Sequence, residues 1–285
     1  MGAFKTIISV CAQNFRKWKT DYRIWTIAVL LLVVVWIYID DIQRIATGLH
    51  TSMTIWIYPF LYSQFHTKLI FTLPIVLLFC NAPFIDGNQT FVYMRTGAQK
   101  WLCGQILYVF AACMFYYIFL LAVCLVSTII SGGELSLEWG KTLTTTANTN
   151  AAAFFESPFI YVSPIVTTYF TPFNAVFFTF LLSWLCAVVI GLMIFFCNIL
   201  TGNKIMGITI TSLLIVLSAL VDSGQPELLP FSPISWNTID KLDVGGYTTN
   251  PTYEYCMIVY LVLIISLIIG IVAIGKQRSI NMEGK

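Results

Sequence analysis

Apolar positions in this chain fall into six long blocks, and none of them contains Asp, Glu, Lys, Arg or His: Ile24–Ile39, Leu69–Ile85, Leu102–Ile130, Pro172–Leu200, Ile205–Val221 and Tyr255–Gly275. A helix needs about 20 mostly apolar residues to cross the ~30 Å hydrocarbon core of a bilayer. Only helices and closed barrels satisfy their backbone there, and unbroken apolar runs select helices. The pattern predicts an all-α polytopic membrane protein with six transmembrane helices. Ahead of the first block, Phe4, Ile8, Cys11, Phe15 and Trp18 step by 4, 3, 4 and 3 residues, with Ile7 beside them. That is one helix face. Lys5, Arg16, Lys17 and Lys19 lie off it, as in a helix resting in the membrane surface. The organisation read from this pattern is one transmembrane domain over 1–285: an interfacial helix in 1–23, six spans in 24–275 and a tail in 276–285.

The connections divide into long and short. Asp40–Lys68, Ser131–Thr171 and Asp222–Glu254 are long; Asp86–Trp101 and Thr201–Lys204 are short. Within the long ones, Met53–Phe65 and Phe154–Tyr169 are apolar but interrupted by proline. At 13 and 16 residues they predict re-entrant or interfacial pieces. Lys141–Asn150, rich in Thr and Asn, reads as a solvated loop or the start of a polar helix. Pro230 and Pro233 predict a broken structure over Leu228–Trp236.

Charge placement orients the chain. Eleven of the fifteen Lys and Arg residues fall in the termini and the two short connections, whereas ten of the thirteen acidic residues fall in the long ones. Basic residues collect on the cytoplasmic side, so both termini are expected there. Charged residues are 10% of the chain, against about 25% in soluble domains. The basic ones sit at the bilayer edge, which argues against a nucleic-acid partner. Twenty-three residues precede the first block and no small-x-small site follows it, so a cleaved signal peptide is not expected. No cysteine pair lies in a long connection, and no disulfide is expected.

The chemistry-bearing motifs are few. There is no G-x-x-x-x-G-K-[ST], no H-E-x-x-H and no G-x-S-x-G. His50 and His66 lack ligand spacing. No enzymatic activity and no cofactor of its own are expected for this chain. Ion-coupled carriers place ionisable groups within their spans; here the strongest polar groups in the blocks are Asn81, Gln105, Asn174 and Asn198, all near block ends. An energy source outside the chain is therefore expected. The segment suited to receive it is Asp86–Trp101. Asp86-Gly87-Asn88 opens like a helix cap, Phe91, Val92 and Met94 give an apolar side, Tyr93 and Arg95 add specific contacts, and Gly97 reads as a stop. Lys204 lies in the other short connection.

This layout resembles the membrane subunits of ABC-2-type transporters, permeases of bacterial ABC exporters. Met1–Lys19 is similar to that family's interfacial helix before the first of six spans. Asp86 matches the acidic position opening a short cytoplasmic helix, and Arg95-Thr96-Gly97 to Gly104-Gln105 looks like the stretch leading into the third span. Where the family often has Glu followed by Gly-Thr, this chain has Asp86 and then Gly87-Asn88-Gln89-Thr90. The resemblance implies a bacterial plasma-membrane protein. It also implies a second permease subunit, identical or related, and a separate cytoplasmic ATP-binding subunit that carries ATP and Mg²⁺. The cargo would be a peptide, a drug or an amphipathic, lipid-like molecule. Asp86, Tyr93, Arg95, Gly97 and Lys204 are the expected coupling residues, and Phe4, Ile8, Phe15 and Trp18 the interfacial ones. The alternative is a non-transporting sensor or scaffold that binds a ligand or partner through its outer connections. Ala187-x-x-x-Gly191 and Ser266-x-x-x-Gly270 would suit close helix packing within the chain.

Overall fold

The computed structural model describes residues 2–84, 89–246 and 248–283. Its helices are α1 (Ala3–Arg16), α2 (Tyr22–Gly48), α3 (Phe65–Phe79), α4 (Gln89–Thr96), α5 (Ala98–Ile130), α6 (Gly140–Asn148), α7 (Ala151–Phe154), α8 (Pro164–Tyr169), α9 (Pro172–Thr201), α10 (Lys204–Gly224) and α11 (Tyr253–Glu283). There is no strand among the described residues, only an isolated bridge between Thr54 and Glu134. Five helices, α2, α5, α9, α10 and α11, are long and apolar enough to cross a membrane. The chain is an all-α, multi-pass membrane protein.

The sixth predicted span differs. Leu69–Ile85 was expected; the helix runs instead over Phe65–Phe79, 15 residues with Pro74 inside. Pro83 explains the early stop, because the residue before a proline is driven out of the helical region. At ~1.5 Å per residue, α3 is about 22 Å long, short of the hydrocarbon thickness. It still links the two ends of the bundle. Lys68, in its first turn, pairs with Asp222 near the end of α10, and Cys80, at its C-cap, accepts a hydrogen bond from Arg23 at the start of α2 (3.0 Å).

The outer long helices α2, α5, α10 and α11 each show one buried stripe and one apolar stripe facing outward. In α2, Ile27, Leu31, Val35, Ile39, Ile42 and Ile45 are buried, while Val29, Leu32, Val33, Trp36 and Ile37 are exposed. An apolar surface of that extent is stable only against lipid or a partner. The α2 helix also outruns its block, continuing through Asp40 and Asp41 to Gly48. The extension holds because Arg44 pairs with both carboxylates, at 3.4 and 3.5 Å, while Ile42, Ile45 and Ala46 stay buried.

At the centre stands α9, packed against α3, α5, α10 and α11. Gly191 permits this. A Cβ there would sit 2.8 Å from Val109 on α5 and 2.9 Å from Phe79 on α3. Gly270 of α11 likewise meets the ring of Phe196 on α9. Gly191 and Gly270 therefore serve packing inside the chain. Asn198 ties the end of α9 to its surroundings: its amide donates to Ala82 O (2.8 Å) and its carbonyl accepts from Gly207 N (2.9 Å).

The long connections fold back over the bundle. Tyr58–Tyr62 forms a buried 3₁₀ turn, with Phe60 O accepting from the Tyr38 hydroxyl (3.0 Å). Thr54 Oγ1 donates to Trp139 O (2.7 Å) and Trp56 Nε1 to Ser136 O (2.6 Å), which knits the first connection to the second. Phe154–Tyr169 contains the end of α7 and all of α8 and does not span. In the third connection, Trp236 is buried, donates to Leu229 O (2.7 Å) and packs on Tyr255 and Tyr260. All eight cysteines are unpaired.

Candidate functional site

At the end of the bundle that carries both termini, α1 does not merely lie on a surface; it docks on α5. Val10, Cys11 and Asn14 are buried. Gly104 makes room, since a Cβ there would come 2.6 Å from Val10 Cβ. One residue on, Gln105 accepts from Asn14 Nδ2 at 2.5 Å. Trp18 Nε1 donates to the Tyr108 hydroxyl at 2.8 Å. Phe15 stacks edge-on to Tyr108 and Phe115, at 5.1 and 5.2 Å between centroids. The four predicted interfacial residues thus split. Phe15 and Trp18 hold α1 to the bundle, whereas Phe4 and Ile8 remain exposed.

The short helix expected in Asp86–Trp101 is α4. It meets α5 at a sharp elbow, and Gly97 is the pivot, with φ of +80°. Its N–H donates to Tyr93 O (2.9 Å), and its carbonyl accepts from Trp101 N (3.1 Å). Tyr93 packs edge-on against Trp101, 5.5 Å between centroids. Phe91 and Met94 point outward, each 73% exposed, and Arg95 is exposed beside them. Asp86 lies outside the described residues. Lys204, the first residue of α10, is placed elsewhere: it lines a cavity together with Lys17 and Arg23.

A second constellation lies at the opposite end. Lys68 and Asp222, both read from sequence as belonging to outer connections, sit inside helices and are almost fully buried, with side chains 4% and 1% exposed. Lys68 Nζ donates to Asp222 Oδ2 (2.5 Å) and to Ser235 O (3.0 Å). Lys241 Nζ donates to Asp222 O (2.9 Å) and lies 3.6 Å from Asp222 Oδ1. The neighbouring Asp240 has its carboxyl pushed up to about 6 by burial, while Lys241 and Lys68 pull it back down. Tyr161, near Asp240, is raised by burial with Asp240 adding to it.

This cluster corrects the expectation that ionisable groups are confined to the connections. Each apolar block was bounded by its flanking charges, yet α3 begins before Lys68 and α10 continues past Asp222. Pairing compensates the burial, and pairing across 154 residues of sequence leaves no local signal. No group of His, Cys, Asp and Glu suited to a metal ion occurs among the described residues.

Comparison with protein-family models, with curated proteins and with solved structures finds no match to this chain.

Proposed function

We propose that this chain is a membrane-spanning permease subunit of an ATP-driven ABC exporter in a bacterial plasma membrane. The supporting observation is the α4–α5 elbow. A short helix presents Phe91, Met94 and Arg95 away from the bundle, braced by Tyr93 on Trp101 and pivoted at Gly97. A rigid knob with apolar anchors and an adjacent cation suits a groove on a soluble partner. The chain carries no nucleotide-binding motif of its own. In this reading the partner is a separate ATPase holding ATP and Mg²⁺, and a second permease subunit completes the pathway. In this reading α3 is the sixth span, a reading supported by its first turn pairing with the end of α10 and its C-cap with the start of α2. Both termini are cytoplasmic, and the cargo is a peptide, drug or amphipathic molecule.

The test is co-purification of the tagged chain with an ATPase subunit from its native membrane. Changing Phe91 and Met94 to Asp should release that subunit, and changing Tyr93 and Arg95 to Ala should lower ATP-driven transport at least tenfold, with membrane insertion intact. Full transport in both variants would refute the coupling role.

A second reading, a sensor or scaffold acting through the outer layer, draws support from an open groove of about 500 Å³ between Leu137–Lys141 and Phe170–Pro172. Ligand-dependent change in the fluorescence of Trp139, which lines that groove, without any ATPase partner, would favour it.

A further inference from the structure

The second long connection opens on a backbone that is held fast while its leucines face away from the molecule. Glu134 N donates to Met53 O (2.7 Å), Trp56 Nε1 to Ser136 O (2.6 Å) and Thr54 Oγ1 to Trp139 O (2.7 Å). Bonded at three points, this stretch is not free to turn its side chains inward, yet Leu135 and Leu137 are 79% and 88% exposed. Apolar side chains presented in this way mark a contact with lipid or a partner. Beside them lies the open groove of about 500 Å³ between Leu137–Lys141 and Phe170–Pro172, within the ~300–1,000 Å³ of small-molecule sites. Trp139 Nε1 is engaged by Phe170 O (2.9 Å), so its ring serves the groove as an apolar wall. The far rim is Pro172, the first residue of the spanning helix α9. Just beyond it Phe173 and Phe177, one turn apart, are exposed on the outward side of that helix. An apolar track therefore runs from the groove onto the span. The polar rim holds one carboxylate and one ammonium, Glu138 and Lys141, both exposed. Neither forms an ion pair with another described residue.

We propose that this groove binds one zwitterionic phospholipid carrying a primary ammonium, with its phosphate on Lys141, its ammonium on Glu138 and an acyl chain over Phe173 and Phe177. A water-soluble ligand of the groove would leave Leu135, Leu137 and Phe173 uncovered; a phospholipid of the leaflet in which α9 begins covers all three. The headgroup follows from the rim. One acid and one base match a headgroup with one charge of each sign, whereas an anionic headgroup leaves Glu138 facing like charge. A primary ammonium brings three N–H donors, and a trimethylammonium brings none. Thr144 supplies a further acceptor at the rim, because its hydroxyl proton is directed to Gly140 O (2.9 Å) and its lone pairs remain available. The site is the groove of the second reading above, now given a ligand class. It requires neither signalling nor an ATPase, so its failure leaves the permease reading untouched, and failure of coupling leaves the site untouched.

The experiment uses the full chain in nanodiscs, with native mass spectrometry of retained lipid and thermal unfolding as readouts. Nanodiscs of phosphatidylcholine alone are compared with nanodiscs containing phosphatidylethanolamine or phosphatidylglycerol. Expected for the wild type is one retained phosphatidylethanolamine and a raised Tm in its presence. Glu138→Gln should lower the preference for phosphatidylethanolamine over phosphatidylglycerol about threefold to fivefold, and Lys141→Gln should weaken retention of phosphatidylethanolamine by a similar factor. Leu135→Ser with Leu137→Ser should weaken retention whatever the headgroup. Each variant is first matched to the wild type by Tm in phosphatidylcholine alone. Should the leucine variant unfold there, Glu138→Gln and Lys141→Gln, at exposed positions, carry the comparison. Equal retention of all three lipids, a preference for phosphatidylglycerol, or wild-type behaviour of both glutamine variants overturns the proposal. So does a groove that retains no lipid while Trp139 fluorescence responds to an added amphipathic peptide, which would assign the groove to a peptide instead.

Discussion

Lys68 and Asp222 form an ion pair that is almost fully buried. Burying two charges costs several kcal/mol each, and mutual attraction offsets this only while both are present. Asp222→Ala would leave the buried Lys68 without its paired carboxylate, with the Lys241 ammonium and the Asp240 carboxyl nearby. The expected cost is about 3–5 kcal/mol, read as a lowered Tm in detergent. The double replacement Lys68→Met with Asp222→Leu should cost less than either single change; a double variant worse than both would refute the pairing argument. Asp240 gives the same cluster a pH dependence. Its carboxyl titrates near 6 in the fold, against about 3.9 when unfolded, so the folded chain binds more protons across that interval. Stability should therefore fall as pH rises from about 4 to about 6, by roughly 2–3 kcal/mol, and level off above. Lys241, Lys68, Asp222 and Tyr161 face this group and stay in place in the check: Asp240→Asn should flatten the pH–Tm profile over that window.

Helices were legible where a one-dimensional pattern decides them. The blocks beginning at Leu102, Pro172, Ile205 and Tyr255 each became a helix that starts within a few residues of the block, because an apolar run long enough to span has no competing fold in lipid. The α2 helix overran its block because Arg44, Asp40 and Asp41 satisfy one another, which a rule of ending at the first charge does not anticipate. At Pro83 the chain instead ended α3 early. The N-terminal stripe was legible as a helix face, but the docking of its Phe15 and Trp18 end on α5 was not. The signal lay in α5, where Gly104 and Gln105 are a small residue and an amide side by side, shaped for a close partner. Gly104→Leu tests this. A leucine side chain has no space beside Val10, so α1 should lift from α5. Overpacking of this kind costs about 1–3 kcal/mol, and a fluorophore at position 12 should show increased lipid or solvent contact. Unchanged emission would mean that α1 is held by the bilayer rather than by α5.

Across the whole chain, the split of basic residues reads as an even number of crossings. The fold supplies one physical link for that count: α1 packs on Gly104 near the start of α5, and Gly275 of α11 packs on Leu102 of the same turn, so the two terminal helices meet at one end. The outer layer left no comparable trace, because contacts such as Thr54 to Trp139 join residues 85 apart through hydrogen bonds that composition cannot encode. That layer yields a direct test of orientation. Asn150 and Lys100 are both exposed, on opposite sides of the predicted bilayer. In a Cys-free variant, Asn150→Cys should react with a membrane-impermeant maleimide in intact cells, and Lys100→Cys only after permeabilisation. The short α3 makes the result informative. If α3 fails to cross, every segment after it inverts while the N-terminus keeps its side. Labelling of Lys100→Cys in intact cells, with Asn150→Cys protected, would therefore remove the sixth span and with it the cytoplasmic placement of α4 on which the coupling proposal stands.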